Sequence, residues 1–416
     1  MFGVFTSGAG YFMAHHIVVI GGGQAAASFL AKARQLDEDV SLTLIGNEEA
    51  LPYQRPPLSK KYATGDMSTD QLLLRPEDWY ANNNVKCHLG ETVKAINTED
   101  KSLTLLSGEA INWDRLMLTT GSRPRALPAS IGGDLERVYL LRSIADADDF
   151  AGELQSGRRV AIIGGGYIGL EAAAVCASRG LEVTLMEAAP RILQRVACVD
   201  TSTWFRDLHT NHNVTLHEGT GLEKLEGNDG KVTRAILDNG EKVDVDFVLV
   251  GIGIVSNAEL AGDAGLKVDG GIVVNQFCQT SNSDIYAAGD CTVFQYKGET
   301  IRLESVQNAI DQAECAAQNM IAEQTPYQPY PWFWSDQYDV KLQIAGLNRG
   351  FDKIVTRPGD REGAMSHFYF RGDEFLAVDS MNDPRTYMVC KKLLETGKTI
   401  TPEQAADRDL QLKSLM

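Results

Sequence analysis

The chain is 416 residues long, 23% of them charged, and carries a formal net charge of −17 at pH 7. That length exceeds one ordinary core and points to two or three domains, while the acidic balance excludes broad nucleic-acid binding, because no basic face is left to neutralise phosphates. No apolar run approaches the length of a membrane span, so a soluble chain with no membrane contact is expected.

Residues 1–12 lack the basic region and the apolar stretch of a secretory signal. With Met13 just ahead of the first strand, they read as an N-terminal extension without a role in the fold, and the cytoplasm is the expected compartment. Ile17 to Ile20 then form an apolar run, read as a buried parallel strand, that ends in three glycines. Gly21, Gly23 and Ala26 supply Gly-x-Gly-x-x-Gly/Ala spacing. Residues without a large side chain let a pyrophosphate approach backbone N–H groups at a helix N-terminus, where an anion is favoured. Ala25 to Ala27 allow the following helix to pack closely on its sheet, and the next strand closes on Asn47 and Glu48.

The same device recurs at Val160 to Ile163, followed by Gly164, Gly166 and Gly169 and by the alanines Ala172 to Ala174. Glu187 ends the next strand at about the 20-residue separation expected of an acid that binds a ribose 2′-hydroxyl. A carboxylate there repels a 2′-phosphate, so NADH is expected over NADPH, with Arg191 and Arg195 close enough in sequence to moderate the preference. Each glycine unit is followed by a stretch of one plan, 86–122 and 213–253: a strand, a turn, a strand, a polar turn, then an apolar strand ending in glycine. The architecture repeats where the sequence does not, and two dinucleotide sites follow in an α/β chain.

Asp290 comes directly after the expected strand Ile285 to Ala288 and a glycine. Val306, Ala309, Ile310, Ala313 and Ala316 or Ala317 recur at helical spacing. Three prolines between Thr325 and Trp332 mark a linker, and from about residue 327 a smaller domain begins, with a hairpin around Arg371 to Glu374 and a helix stopped by Gly397. The seven cysteines include no Cys-x-x-Cys, and the histidines, His209 and His212 among them, lack metal-like spacing, so no metal is expected.

Read in order, GGGQAAA, PYQRPPLSK, LTTGSRPR, GGGYIGLE, YAAGD and PWFWSDQ resemble the FAD-dependent NADH:ferredoxin reductases that serve oxygenases, over nearly the whole chain from about Met13. The resemblance implies an α/β fold of two Rossmann-like dinucleotide-binding domains plus a smaller α+β C-terminal domain. FAD would occupy residues 13–123 and 257–326, NADH residues 124–256, and residues 327–416 would form the last domain. It implies that Gly21, Gly23, Gln24 and Ala25 meet the FAD pyrophosphate and that Asn47 with Glu48 meets the adenosine ribose. Arg55, Lys60, Val93, Thr120, Gly121 and Arg142 would make further FAD contacts, Asp290 would hold the ribityl chain, Gln307 and Ala309 would line the pyrimidine end of the flavin, and Trp334 would lie beside it. For NADH it implies Gly164, Gly166, Tyr167, Ile168, Glu171, Glu187 and Arg195, with Gly251, Ile252 and Gly253 covering the nicotinamide.

In this family a lysine and a glutamate meet near the hydride-accepting atom of the flavin, and they fall here at Lys60 and Glu171. Lys60 is expected to stabilise negative charge on the reduced flavin, and Glu171 to orient Lys60 and the nicotinamide. No cysteine lies between Asn47 and Lys61 and no redox Cys-x-x-Cys exists, so an external acceptor is expected. The family's acceptor is a 2Fe–2S ferredoxin that feeds an oxygenase. Arg302, Lys341, Arg349, Lys391 and Lys392 are candidates for a local basic patch that would dock it, on a monomer or weak homodimer. Two alternatives stay open: a reductase of rubredoxin, ascorbyl radical or dioxygen, and a redox-controlled binding protein resembling apoptosis-inducing factor.

Overall fold

A computed structural model describes residues 16–416; the extension expected at residues 1–12 lies outside the described residues. The chain divides into two compact units. The first runs to Tyr53 and takes in Leu73–Gly121 and Ser256–Pro329; the second comprises Gln54–Leu72, Ser122–Val255 and Tyr330–Met416.

In the first unit, five parallel strands lie in the order Ile285–Ala287, Arg115–Leu118, His16–Ile20, Ser41–Gly46, Val85–Leu89. His16–Ile20 sits at the centre, and Ile17, Val18 and Val19 are buried, which is why it reads as a continuous apolar run rather than an alternating one. The helix Gln24–Leu36 packs against the helix Val306–Ile321. Ala26 and Ala33 from one helix and Ala313, Ala316 and Ala317 from the other share a core with Phe29 and Leu30, and small side chains let the two backbones approach.

The buried face of Val306–Ile321 keeps the expected Ala309, Ala313, Ala316 and Ala317 and differs from expectation at its other positions. Val306 and Ile310 are only half-buried, whereas Asn308 and Gln312 are buried. The side-chain oxygens of both are satisfied: Gln312 Oε1 accepts from Gly289 N at 2.8 Å and Thr292 Oγ1 at 2.9 Å, and Asn308 Oδ1 accepts from Tyr327 OH at 2.7 Å, while the buried Gln312 Nε2 has no partner among the described residues. Apolar periodicity alone misses a face that binds a loop through amides.

The second unit repeats the plan. Its parallel sheet runs Thr215–Glu218, Glu182–Glu187, Arg159–Ile163, Phe247–Val250, Val138–Tyr139. Each parallel sheet is accompanied by a three-stranded antiparallel meander, Val93–Asn97 with Ser102–Leu105 and Ala110–Asn112, and Leu222–Asn228 with Lys231–Leu237 and Lys242–Asp244. The common plan of the two stretches is therefore present, with two more strands in each than the sequence reading separates. Residues 332–381 form a five-stranded antiparallel sheet in the order Trp332–Gln337, Val340–Gly346, Glu374–Met381, Met365–Arg371, Lys353–Pro358. Arg371 pairs with Glu374 at the expected hairpin. The helix Pro384–Thr396 starts on an Asp383 cap and stops at Gly397, whose φ of 67° is the left-handed conformation a helix end favours. No helix of the described residues is long and apolar enough to cross a membrane.

Candidate functional site

In the first unit, Gly21 has φ 113°, and a Cβ on it would stand 2.2 Å from the Thr119 carbonyl oxygen, so the strand end at Thr119 leaves room for glycine alone. Gly23 serves the fold differently. It is the N-cap of the helix Gln24–Leu36, makes no side-chain cap, and has no atom within 4 Å of where a Cβ would sit. No acid occupies the first turn, so the free N–H groups face open space suited to a pyrophosphate. Gln24 opens that helix and Ala25 is buried beneath it.

Gly289 ties three expected positions together: a Cβ on it would lie 3.5 Å from Ala25 Cβ and 3.7 Å from Ala309 Cβ, which sets the adjoining Asp290 between the starts of the two helices. Thr120 and Gly121 are fastened to Asn257, a residue the motifs do not single out. Thr120 Oγ1 donates to Asn257 O at 2.6 Å, Asn257 Nδ2 donates to Thr120 O at 2.9 Å, and Asn257 N donates to Gly121 O at 3.0 Å. Glu48 accepts from the Tyr53 hydroxyl beside an exposed Asn47. Gln307 donates to Asp311, and Val93 is buried at the start of the meander.

In the second unit, the chain after Pro56 and Pro57 coils irregularly through Leu58–Tyr62. Lys60 N and Tyr62 N both donate to Pro57 O, at 2.9 and 3.0 Å, and Lys60 itself departs from helical geometry with φ −128° and ψ −115°. Lys60 Nζ meets Glu171 Oε2 at 2.9 Å, and Ser335 Oγ donates to Glu171 Oε1 at 2.8 Å. Burial pushes the Glu171 carboxyl above its ordinary range, while Lys60 and Ser335 pull it back. The expected lysine–glutamate contact is therefore made, with a serine that the motif reading passed over. Arg55 is brought to Arg142, donating to its carbonyl oxygen at 2.7 Å.

Gly164 is confined like Gly21: φ is 108° and a Cβ would meet the Gly251 carbonyl oxygen at 2.4 Å. Gly166 repeats Gly23 as the uncapped start of the helix Tyr167–Ser178, with nothing within 4 Å of a Cβ and no acid in the first turn. Glu187 holds the glycine turn with both oxygens, Oε2 accepting from Gly165 N and Oε1 from Ala189 N, each at 2.7 Å. Arg195 reaches to 4.0 Å from the place a Cβ of Gly253 would take. Arg191 is committed elsewhere, to the carbonyls of Ala197 at 2.8 Å and Cys198 at 3.2 Å and to the Ser202 hydroxyl, so its expected moderating role is not supported. Ile168 and Ile252 are exposed, at 49% and 38%. The Tyr167 ring lies 4.8 Å from Phe333, and its buried hydroxyl has no hydrogen-bond partner among the described residues. Trp334 is half-buried against Trp332, 5.6 Å between rings.

Among the described residues no group of three or more His, Cys, Asp or Glu could hold a metal ion. Cys176, on the second glycine helix, is fully buried, and burial pushes its thiol up to about 12. One pair of cysteines acts on each other's ionisation: Cys315 adds to the burial that pushes the Cys278 thiol up, and Cys278 draws the Cys315 thiol down. Their separation in sequence hides it, and Cys315 stands about two turns along its helix from Gln307. Of the proposed docking cations, Arg302 is paired with Glu304, and Lys391 and Lys392 with Glu395.

Two uncapped glycine turns, each beside its own parallel sheet, fit two dinucleotides. A profile of the pyridine nucleotide-disulphide oxidoreductases matches residues 15–313, and one of the reductase C-terminal domain matches residues 332–416. Rhodocoxin reductase of Rhodococcus erythropolis is 40% identical over 399 residues, covering 95% of this chain and 93% of that protein. Putidaredoxin reductase of Pseudomonas putida is 36% identical and 96% of each is covered. The solved covalent complex of putidaredoxin reductase with putidaredoxin matches with a TM-score of 0.93 at 36% identity, covering 96% of this chain and 98% of that one. The chain therefore belongs to the pyridine nucleotide-disulphide oxidoreductase family, within the ferredoxin reductases that add the reductase C-terminal domain, and is an oxidoreductase that uses FAD and NAD(P)H.

Proposed function

We propose that this enzyme takes hydride from NADH onto FAD and delivers single electrons to a 2Fe–2S ferredoxin that supplies an oxygenase. The observation that carries the reading is the Lys60–Glu171 contact: the helix that opens an uncapped turn at Gly166 also carries Glu171, five positions on, against the lysine of PYQRPPLSK. When bound, the nicotinamide supplies a hydride and the flavin accepts it and releases electrons singly. Gly21 with Gly23, and Gly164 with Gly166, bring backbone N–H groups to the two pyrophosphates. Lys60 presents an ammonium whose place Glu171 fixes, a preset charge of the kind that stabilises developing negative charge without reorganisation. Glu187, committed to two backbone amides and with Arg191 turned away from it, supports NADH over NADPH.

An external acceptor is supported by the sequence, which has no Cys-x-x-Cys and no cysteine between Asn47 and Lys61. The thiol of Cys176 is held protonated by burial, and the family relatives include a reductase solved bound to its putidaredoxin. The test is anaerobic stopped-flow absorbance with NADH or NADPH, followed by a 2Fe–2S ferredoxin. Fast bleaching by NADH and prompt recovery of the yellow colour on adding ferredoxin are expected. Slow bleaching to a species that ferredoxin cannot discharge would replace this reading with a redox-controlled binding protein.

A further inference from the structure

Glu171 terminates a buried chain of hydrogen bonds. Ser335 Oγ donates to Glu171 Oε1 at 2.8 Å, and Gln337 Nε2 donates to Ser335 Oγ at 3.1 Å. His209 Nε2 lies 2.8 Å from Gln337 Oε1, and the Tyr338 hydroxyl lies 3.2 Å from His209 Nδ1. Ser335, Gln337 and His209 are at most 1% exposed. The strand Trp332–Gln337 explains the first two members, since alternate residues share a face and Ser335 and Gln337 point inward while Asp336 is half-buried. His209 closes the last turn of the helix Val199–Asn211. Tyr338 adopts φ 55°, a left-handed conformation that bulky side chains rarely take, and its ring is stacked on His212 at 3.7 Å.

The donors can be ordered in one direction. An amide nitrogen only donates and an amide oxygen only accepts. With Gln337 Oε1 on His209 Nε2, that nitrogen carries the proton and Nδ1 is left to accept from Tyr338. Gln337 Nε2 then donates to Ser335, whose single hydroxyl proton is left for Glu171. We propose that Tyr338, His209, Gln337 and Ser335 are positioning residues, a one-way series of donors that holds Glu171 as a carboxylate against Lys60 and so sets both for hydride transfer. The proposal rests on the reading of Glu171 given above. A neutral amide in mid-chain does not relay a proton, so the series orients and does not conduct. Burial holds the His209 imidazole down at about 4, with the Gln337 hydrogen bond opposing and His212 assisting, so the ring keeps one charge state near neutral pH. Lys60 and Asp336 are the charged groups that act on Glu171 at the other end.

The series is tested first without turnover, by nitrogen-15 NMR of histidine-labelled holoenzyme, with His209 assigned from His209→Asn. A neutral Nε2–H tautomer from pH 6 to 8 is expected. An Nδ1–H tautomer would turn Gln337 around and aim the Ser335 hydroxyl away from Glu171, overturning the proposal in the parent protein with no variant required to fold. The second test is anaerobic bleaching of the flavin by NADH. Ser335→Ala and Gln337→Met are expected to slow it about tenfold, as loss of one hydrogen bond to a charged group would. Ser335→Thr is expected to restore the rate, and reduction by dithionite to be unchanged throughout. Normal NADH bleaching in Ser335→Ala and Gln337→Met, beside slow bleaching in Glu171→Gln, refutes the series alone. Normal bleaching in Glu171→Gln refutes the role of Glu171 and the proposal with it.

Discussion

Replacing Lys60 by methionine strips Glu171 of the cation it meets among the described residues while leaving a side chain of similar length. The pair is 2.9 Å apart, with side chains 19% and 10% exposed, and breaking such a pair from one side costs about 3–5 kcal/mol when both partners are buried. The partial exposure of Lys60 and the remaining Ser335 hydrogen bond put this case at the lower end, about 3 kcal/mol at pH 8. The Glu171 carboxyl is already raised by burial, and without Lys60 it rises further. A carboxyl whose folded pKa lies above its unfolded one takes up a proton on folding, so its cost is full above the folded pKa and fades as pH falls toward the unfolded value. Lys60→Met should therefore be clearly less destabilised at pH 5 than at pH 8, and Lys60→Met with Glu171→Gln should recover most of the loss at pH 8. Urea unfolding midpoints of the holoenzyme at the two pH values measure this. Equal losses at both, or a double variant as unstable as the sum of the single ones, would refute the coupling.

The glycines divide into two classes with opposite outcomes. Gly21→Ala and Gly164→Ala, whose Cβ would lie 2.2 and 2.4 Å from carbonyl oxygens, should fail to give folded protein. Gly23→Ala and Gly166→Ala should fold and lose at least tenfold in affinity for FAD and NADH respectively, read by flavin content after gel filtration and by NADH titration; full flavin retention in Gly23→Ala would remove the pyrophosphate assignment. Asp379 is buried and accepts from Thr201 Oγ1 at 2.8 Å and from the Tyr369 hydroxyl, and burial lifts its carboxyl from 3.8 to about 6. The folded state binds this proton more tightly than the unfolded one, so the contribution is fully present below about pH 4 and lost as pH rises to about 6, roughly 3 kcal/mol. The stability of Asp379→Asn relative to the parent should rise by about that amount between pH 4 and pH 7, and a pH-independent difference would contradict it.

The parts of this molecule legible in its sequence are those in which a local conformation demands a particular residue. Gly21 and Gly164 are forced by a carbonyl oxygen, Gly397 by a left-handed helix end, and the strands Ile17–Ile20 and Val160–Ile163 by burial on both faces. The lysine and glutamate at 60 and 171 are legible only through six motifs taken together, because no spacing links them. What stayed hidden depends on partners far along the chain. Ser335 and Gln337 look like the polar side of a β-strand until His209, which shows no metal-like spacing, is found buried beside Gln337. Gln312 breaks the apolar periodicity of its helix because the amide of Gly289 requires an acceptor there. Cys278 and Cys315 carry no motif at all.

Glu187 bears on how such a reductase could be re-engineered to accept NADPH. The customary step is to remove the acid that repels the extra phosphate, but here its two oxygens also close the loop, gripping Gly165 on one side and Ala189 on the other. A neutral, shorter residue would relax the charge and at the same time release the turn that must stay tight for either nucleotide. The geometry therefore favours keeping the carboxylate and adding a cation at its rim, close to where Arg195 already reaches toward Gly253: on the role proposed for Glu187, cofactor choice and loop rigidity would share one side chain, and a change made for the first would be felt by the second.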